Sequence, residues 1–277
     1  MIHLRKANLG KEGPLEKTAT REELIEHIQD PDPARRAEAA YQMGIRGDPA
    51  FLPFLEQALG DPDSKVRWRS VQALGRMELP RKPQGVSRLL KDEAPRVRAA
   101  AAMVLGQWGC NEAVQALSCL LDDPDQEVRY RTIEALGEIR GLGTDLLERI
   151  ASLLEDPDGN IRMHAALALG KCKYSPAVRL LVERLNDPQQ TVRGPAAWSL
   201  GEIGDESTLA ALFGALADEG EYVRIYAYQA IAAFGQRALP VLEASLPQAS
   251  SALRPILERL REDLVEATEQ EGVEDGP

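Results

Sequence analysis

The 277-residue chain has little of the material that catalytic and metal chemistry depends on. Its three histidines, His3, His27 and His164, stand well apart, and none lies three or four positions from another histidine or a cysteine, so no zinc-type ligand pair is present. The three cysteines, Cys110, Cys119 and Cys172, are an odd count without a Cys-x-x-Cys step, which fits reduced, buried and inert thiols in a cytoplasmic protein. A glycine-rich phosphate loop, a Gly-x-Ser-x-Gly elbow and a Cys-His-Asn set are all missing. On these grounds the sequence predicts no catalytic residue, no metal and no cofactor. No unbroken apolar stretch has the length of a signal peptide or a membrane span, and the cytoplasm follows by exclusion.

What the chain has in quantity is alanine and leucine. Hydrophobic residues make up 44%, aromatics only 5% and charged residues 28%, with few β-branched runs. Ala and Leu lose little side-chain entropy in a helix, so the balance predicts an all-α protein with a sizeable core. The net charge of -11 sets the average field against nucleic acid and anionic membrane, so neither is expected as a partner. Part of that acidity sits after Glu266, where Glu and Asp recur without apolar periodicity, as in a frayed tail.

An internal period organises the rest. Asp30, Asp61, Asp92, Asp123, Asp156, Asp187 and Asp218 are each followed six positions later by arginine: Arg36, Arg67, Arg98, Arg129, Arg162, Arg193 and Arg224. The interval is 31 residues except once, where it is 33, which places a two-residue insertion near Gly141-Leu142-Gly143. Seven coincidences at one period mark a repeat architecture. In the same register run an apolar column from Leu24 to Leu212, a second four residues on from Ile28 to Leu216, and a third from Met43 to Ile231. An i, i+4 apolar pair is one face of a helix. Each unit therefore reads as helix A, a tight Asp-Pro turn with Asp as N-cap and Pro at N1, and helix B, with glycines such as Gly44, Gly106 and Gly137 where helix B ends or thins out. A lone hairpin cannot bury its apolar face, whereas stacked neighbours can.

The boundaries that follow are an N-terminal arm over 1–19, the repeats over 20–250, a capping helix over 251–267 with Ser250 as its cap, and an acidic flexible tail over 268–277. Pro195, inside helix B of the sixth repeat, is expected to bend that helix.

The motif Asp-Pro-Asp-x-x-Val-Arg-x-x-Ala-x-x-Ala-Leu-Gly, clearest from Asp61 to Gly75 and from Asp123 to Gly137, resembles the HEAT-like repeat of phycobilisome lyase subunits and many bacterial proteins. The resemblance implies a right-handed α-solenoid of about seven two-helix repeats with capping helices. It also implies a structural ladder in which arginines bond neighbouring aspartates, here Asp61, Arg67, Asp123, Arg129, Asp156, Arg162, Asp187 and Arg193. The paired His-Glu steps of the HEAT-like deoxyhypusine hydroxylases do not occur.

The face of helix B turned away from the core carries the functional expectation. It should be polar, yet it presents Tyr41, Trp68, Arg69, Met103, Tyr130, Arg131, Met163, His164, Trp198 and Tyr226. Trp, Tyr, Arg and Met are the types enriched at interface hot spots. In solenoids of the resembled kind helix B lines the concave side, so these residues are expected to form a groove for a partner protein: a peptide, a helix or a globular domain. The chain then reads as a non-catalytic scaffold or adaptor, monomeric or weakly dimeric. The alternatives are a bilin-lyase or chaperone-type subunit, which the resemblance alone suggests, and a nucleic-acid backbone binder using Arg67, Arg69, Arg129 and Arg131, which the net charge opposes.

Overall fold

The structure, a computed structural model, describes residues 19–79 and 82–274, with residues 267–274 by backbone alone. The expected N-terminal arm, apart from Ala19, and the last three residues lie outside that range. The chain forms two compact units divided between Leu79 and Pro80. No strand occurs among the described residues, and each unit is a stack of helical hairpins.

The first unit holds α1 (Arg21–His27), α2 (Pro33–Arg46), α3 (Leu52–Ala58) and α4 (Ser64–Arg76). The second holds α5 (Gly85–Arg88), α6 (Pro95–Gln107), α7 (Val114–Cys119), α8 (Gln126–Glu138), α9 (Thr144–Ser152), α10 (Gly159–Lys171), α11 (Val178–Arg184), α12 (Gln190–Ile203), α13 (Leu209–Ala215), α14 (Glu221–Ala232), α15 (Leu239–Ser245) and α16 (Arg254–Glu274). Odd helices are the first of each hairpin and even helices the second. The even helices pack on one another in sequence: α2 on α4, and then α6, α8, α10, α12, α14 and α16.

All three apolar columns are buried. Leu55, Leu117 and Leu181 in the first, Leu154 in the second and Leu74, Leu136 and Leu200 in the third are fully covered, and each such side chain contributes about 1.5–3 kcal/mol. The stack is closed by Leu257, Leu260 and Leu264 of α16, whose entry is capped where the Ser250 hydroxyl accepts from the Leu253 amide. The helix runs on to Glu274, past the point at which the sequence pattern ends it, since the acidic residues beyond Glu266 are good helix formers even without a core face.

One local expectation is corrected. The aspartate of the Asp-Pro step is not the helix cap. Asp30, Asp61, Asp123 and Asp156 accept instead from the amide two residues on, and the cap is that next residue: Asp32, Asp63, Asp125 and Asp158. Proline after the first aspartate has no N–H to offer, so the turn closes one residue later. The glycines of the Leu-Gly step stand in the last turn of their helices, where the spacing puts the helix end. A Cβ on Gly44 would come within 2.5 Å of the Ala73 Cα, one on Gly106 within 2.5 Å of the Ala135 Cα and one on Gly201 within 2.7 Å of the Ala230 Cα. Glycine on one even helix against a small residue on the next sets how closely they approach. α12 continues through Pro195, short of one ladder hydrogen bond.

The two-residue insertion lies between α8 and α9, where Gly141 adopts a left-handed φ of 76°. A 3-10 turn leads into α7, α11, α13 and α15, but α9 starts directly from Gly143.

Candidate functional site

The recurring charges of the repeat form a ladder of two-pronged bonds. Arg36 Nε and Nη2 donate to the Asp61 carboxylate at 2.7 and 2.8 Å, Arg98 to Asp123 at 2.7 and 2.8 Å, Arg162 to Asp187 at 2.7 and 2.9 Å, and Arg193 to Asp218 at 2.7 and 2.9 Å. The remaining Nη1 of each donates to carbonyls of its own Asp-Pro turn, as does that of Arg67 to Asp61 and Pro62. Burial alone would raise the Asp187 carboxyl, but the Arg162 fork and the Gln189 amide more than offset it and hold it below the ordinary carboxylate range. Asp61, Asp123 and Asp218 respond in the same way. These guanidinium groups are spent on the fold and are not open to a ligand.

The ladder is interrupted once in the second unit. Arg129 donates only to the carbonyls of Asp123 and Pro124, and among the described residues no bond joins it to Asp156. The insertion after α8 shifts the next turn out of its reach, and Gln126 reaches Asp158 instead.

All ten residues expected on the outward face of the second helices are half-buried: each lies partly on its neighbours and leaves part of its surface open. In the first unit Tyr41, Trp68 and Arg69 come together. The Arg69 guanidinium lies 4.6 Å from the Tyr41 ring centroid and 4.5 Å from that of Trp68, and Arg76 approaches Tyr41 from its other end at 5.3 Å. Such cation–aromatic stacks hold a guanidinium flat while leaving its N–H edge available.

In the second unit the same face runs from Met103 on α6 to Tyr226 on α14. Tyr130 and His164 stack with centroids 5.1 Å apart and planes inclined by 12°. Arg131 lies 5.3 Å from the Tyr130 ring and is held by Glu134 at 3.0 Å and Glu127 at 4.0 Å. Burial pushes the His164 imidazole below its ordinary value and the Tyr130 phenol above its own. Gly194 makes room for Tyr226, whose ring carbon would meet a Cβ there at 3.0 Å. Ile225 extends the face at 42% exposed. Met163 and Trp198 occupy the intervening stretch on α10 and α12.

Arg76 and Gln72 complete the cluster in the first unit. Arg76, which the sequence columns did not single out, lies seven residues beyond Arg69, and that spacing is the signal for it. Gln72 has a buried Oε1 with no hydrogen-bond donor among the described residues. Among the described residues no cluster of three His, Cys, Asp or Glu could hold a metal ion, and no helix is long and apolar enough to cross a membrane. A hollow of about 590 Å³ beside Arg193 and Gly220 lies at the turns, and its arginine is already bonded to Asp218.

The family model for HEAT repeats matches residues 21–94, 83–143, 117–198 and 178–261. Comparison with the sequences of curated proteins gives no match. Among solved structures the chain resembles YibA of Escherichia coli, with a TM-score of 0.62 and 23% identity over 92% of this chain and 99% of that one. The complex of CpcE and CpcF of phycocyanin lyase from Nostoc sp. gives a TM-score of 0.56 and 24% identity over 92% and 97%. A structure of Kap95p binding RanGDP gives 0.61 and 14% over 88% and 41%.

Proposed function

The chain belongs to the HEAT-repeat family, and from that footing we propose that it is a non-catalytic cytoplasmic scaffold or adaptor that docks a partner protein on the outward face of its second helices. The observation that carries this reading is the half-burial of Trp68, Tyr130, Met163, Trp198 and Tyr226, at positions where a solvated helix face would be polar. Large side chains already fixed by their neighbours lose little entropy when a partner covers the rest of them. The aspartate–arginine ladder contributes rigidity, so the face is presented without reorganisation. Two structures of similar fold, CpcE with CpcF and Kap95p with RanGDP, are protein–protein assemblies, which is in keeping with the proposal.

The test is affinity capture from native lysate with the wild type beside a Trp68→Ala, Tyr130→Ala, Trp198→Ala triple variant, the two matched for helicity by circular dichroism. A partner held by the first and lost by the second supports docking on this face. Retention of the same proteins by both would move the binding to the turns or the outer helices. A tetrapyrrole adduct formed on a captured partner would instead favour a lyase-subunit role.

A further inference from the structure

Resting on the reading of the second helices' outward face as a docking surface, a further inference concerns what the first unit selects. Lys65, Arg69, Gln72 and Arg76 follow one another on α4 at intervals of four, three and four residues, which sets them in one stripe about 16 Å long. The described ion pairs of this unit join Arg21 to Asp48, Arg35 to Asp30 and Arg36 to Asp61. Lys65, Arg69 and Arg76 pair with no carboxylate among the described residues. A chain carrying a net charge of -11 thus sets three cations on one stripe without a carboxylate partner among the described residues.

The Arg69 guanidinium lies over the rings of Tyr41 and Trp68, and that of Arg76 over Tyr41. The corresponding stripe on α2 offers one acid, Glu38, which accepts from Gln42 at 2.9 Å, and ends on Ile45 at 58% exposed.

We propose that this surface binds an acidic polypeptide segment carrying apolar residues between its carboxylates. Aspartate or glutamate side chains take the guanidinium N–H groups of Arg69 and Arg76, and an apolar residue covers Ile45. About five extended residues span the stripe, with alternate side chains turned towards it. The exposed Ile45 beside the stripe and the net charge of -11 select peptide over nucleic acid: an acidic segment can bring apolar side chains between its carboxylates, whereas a phosphodiester backbone brings dense negative charge alone.

The experiment measures fluorescence anisotropy at low salt with a fluorescein-labelled, end-blocked peptide of three Asp-Leu-Glu-Ser units. Its competitors are the Asn/Gln counterpart of that peptide and an oligothymidylate of equal length. The acidic peptide is expected to bind at least about ten-fold tighter than the neutral one, and the Arg69→Ala, Arg76→Ala double variant to lose at least about five-fold. Arg140→Ala, an exposed arginine of the second unit, should change the affinity by less than about two-fold. Matched circular-dichroism melts of the wild type and the double variant separate binding from folding, and Ile45→Ser, at an exposed side chain, should weaken the peptide by about two- to three-fold with the melting temperature unchanged.

Equal binding of acidic and neutral peptides, indifference to the double variant, or tighter binding of the oligonucleotide would overturn the proposal. A synthetic probe keeps this result apart from the capture experiment. Capture lost in the triple variant without acidic binding leaves the docking face with a partner of other chemistry. Acidic binding with capture unaffected confines the function to the α4 stripe.

Discussion

Tyr130 stacks on His164 at 5.1 Å, across the same α8–α10 junction at which Arg129 fails to reach the next aspartate. Aromatic stacking of this geometry is worth about 0.5–1.5 kcal/mol and stands where the ladder lacks its rung between the fourth and fifth repeats. That junction also carries a titratable ring. Burial, helped by Arg131 and Lys171 and opposed by Glu134, keeps the His164 imidazole below its ordinary 6.5. The unfolded chain therefore binds the proton more readily than the folded one. Stability is full above 6.5 and falls as the pH drops through that value towards the lower folded one. The melting temperature of the wild type should decline between about pH 7.5 and 5.5, and His164→Phe, which keeps the stack, should flatten that slope. Parallel pH profiles for the two proteins would show that His164 does not control the junction.

The ladder makes unequal demands on its arginines. Arg162 and Asp187 are both almost wholly buried, at 9% and 2% side-chain exposure, so Arg162→Ala leaves a carboxylate in the interior and should cost about 3–5 kcal/mol in urea unfolding. Arg129 bonds only to its own turn, and Arg129→Ala should cost about 1–2 kcal/mol. Asp187 lies below its ordinary 3.8, so the contribution of its bond to Arg162 is present above that pH and is lost as the pH falls through the lower folded value; the Arg162→Ala variant should lack that acid limb. Similar costs for both substitutions would remove the distinction between an intact and an interrupted rung.

The same substitution should act with opposite sign at two glycines. Gly106→Ala sets a Cβ 2.5 Å from the Ala135 Cα, so α6 and α8 must part, at a cost of about 1–3 kcal/mol. On α13, Gly214 has nothing within 4 Å, and Gly214→Ala should stabilise by about 0.5–1 kcal/mol through helix propensity alone. Thermal unfolding of the pair decides it, and a stabilised Gly106→Ala would show that the even helices are not held at contact by their glycines.

How much of this was legible in the sequence follows from which physics each feature depends on. The apolar columns could be read because burial repeats with the period of the stack, so Leu55, Leu117 and Leu181 announce themselves together. The place of the insertion could be read from a spacing. Its effect on Arg129 could not, because reach depends on where the following turn lies in space. The cap was misplaced by one turn residue pair because Asp-Pro and the following Asp both suit an N-cap, and only the hydrogen bonds separate an aspartate that closes the turn from one that caps the helix. The outward face was found from its period, but period alone does not tell a half-covered ring from a buried one. The Arg69 stack on Tyr41 joins residues 28 apart and is set by side-chain direction across two helices.

The thiols supply a prediction that departs from the inert, buried set suggested by composition. Cys119 is exposed at the end of α7, with its Sγ donating to the Gln115 carbonyl at 3.4 Å, whereas Cys110 and Cys172 are half-covered. Burial pushes both of the latter thiols up, with Glu112 adding to the rise at Cys110 and Lys171 partly opposing it at Cys172. Only the thiolate attacks a disulfide reagent, so a raised thiol and a covered sulfur slow the reaction twice over. With an aromatic disulfide at pH 7.5, one equivalent should react fast and two slowly, and Cys119→Ser should abolish the fast phase and spare the slow ones. A fast phase that survives in Cys119→Ser would mean that the α10 end around Cys172 or the turn holding Cys110 opens more readily than its packing implies, and hydrogen exchange at those two segments would then locate the opening.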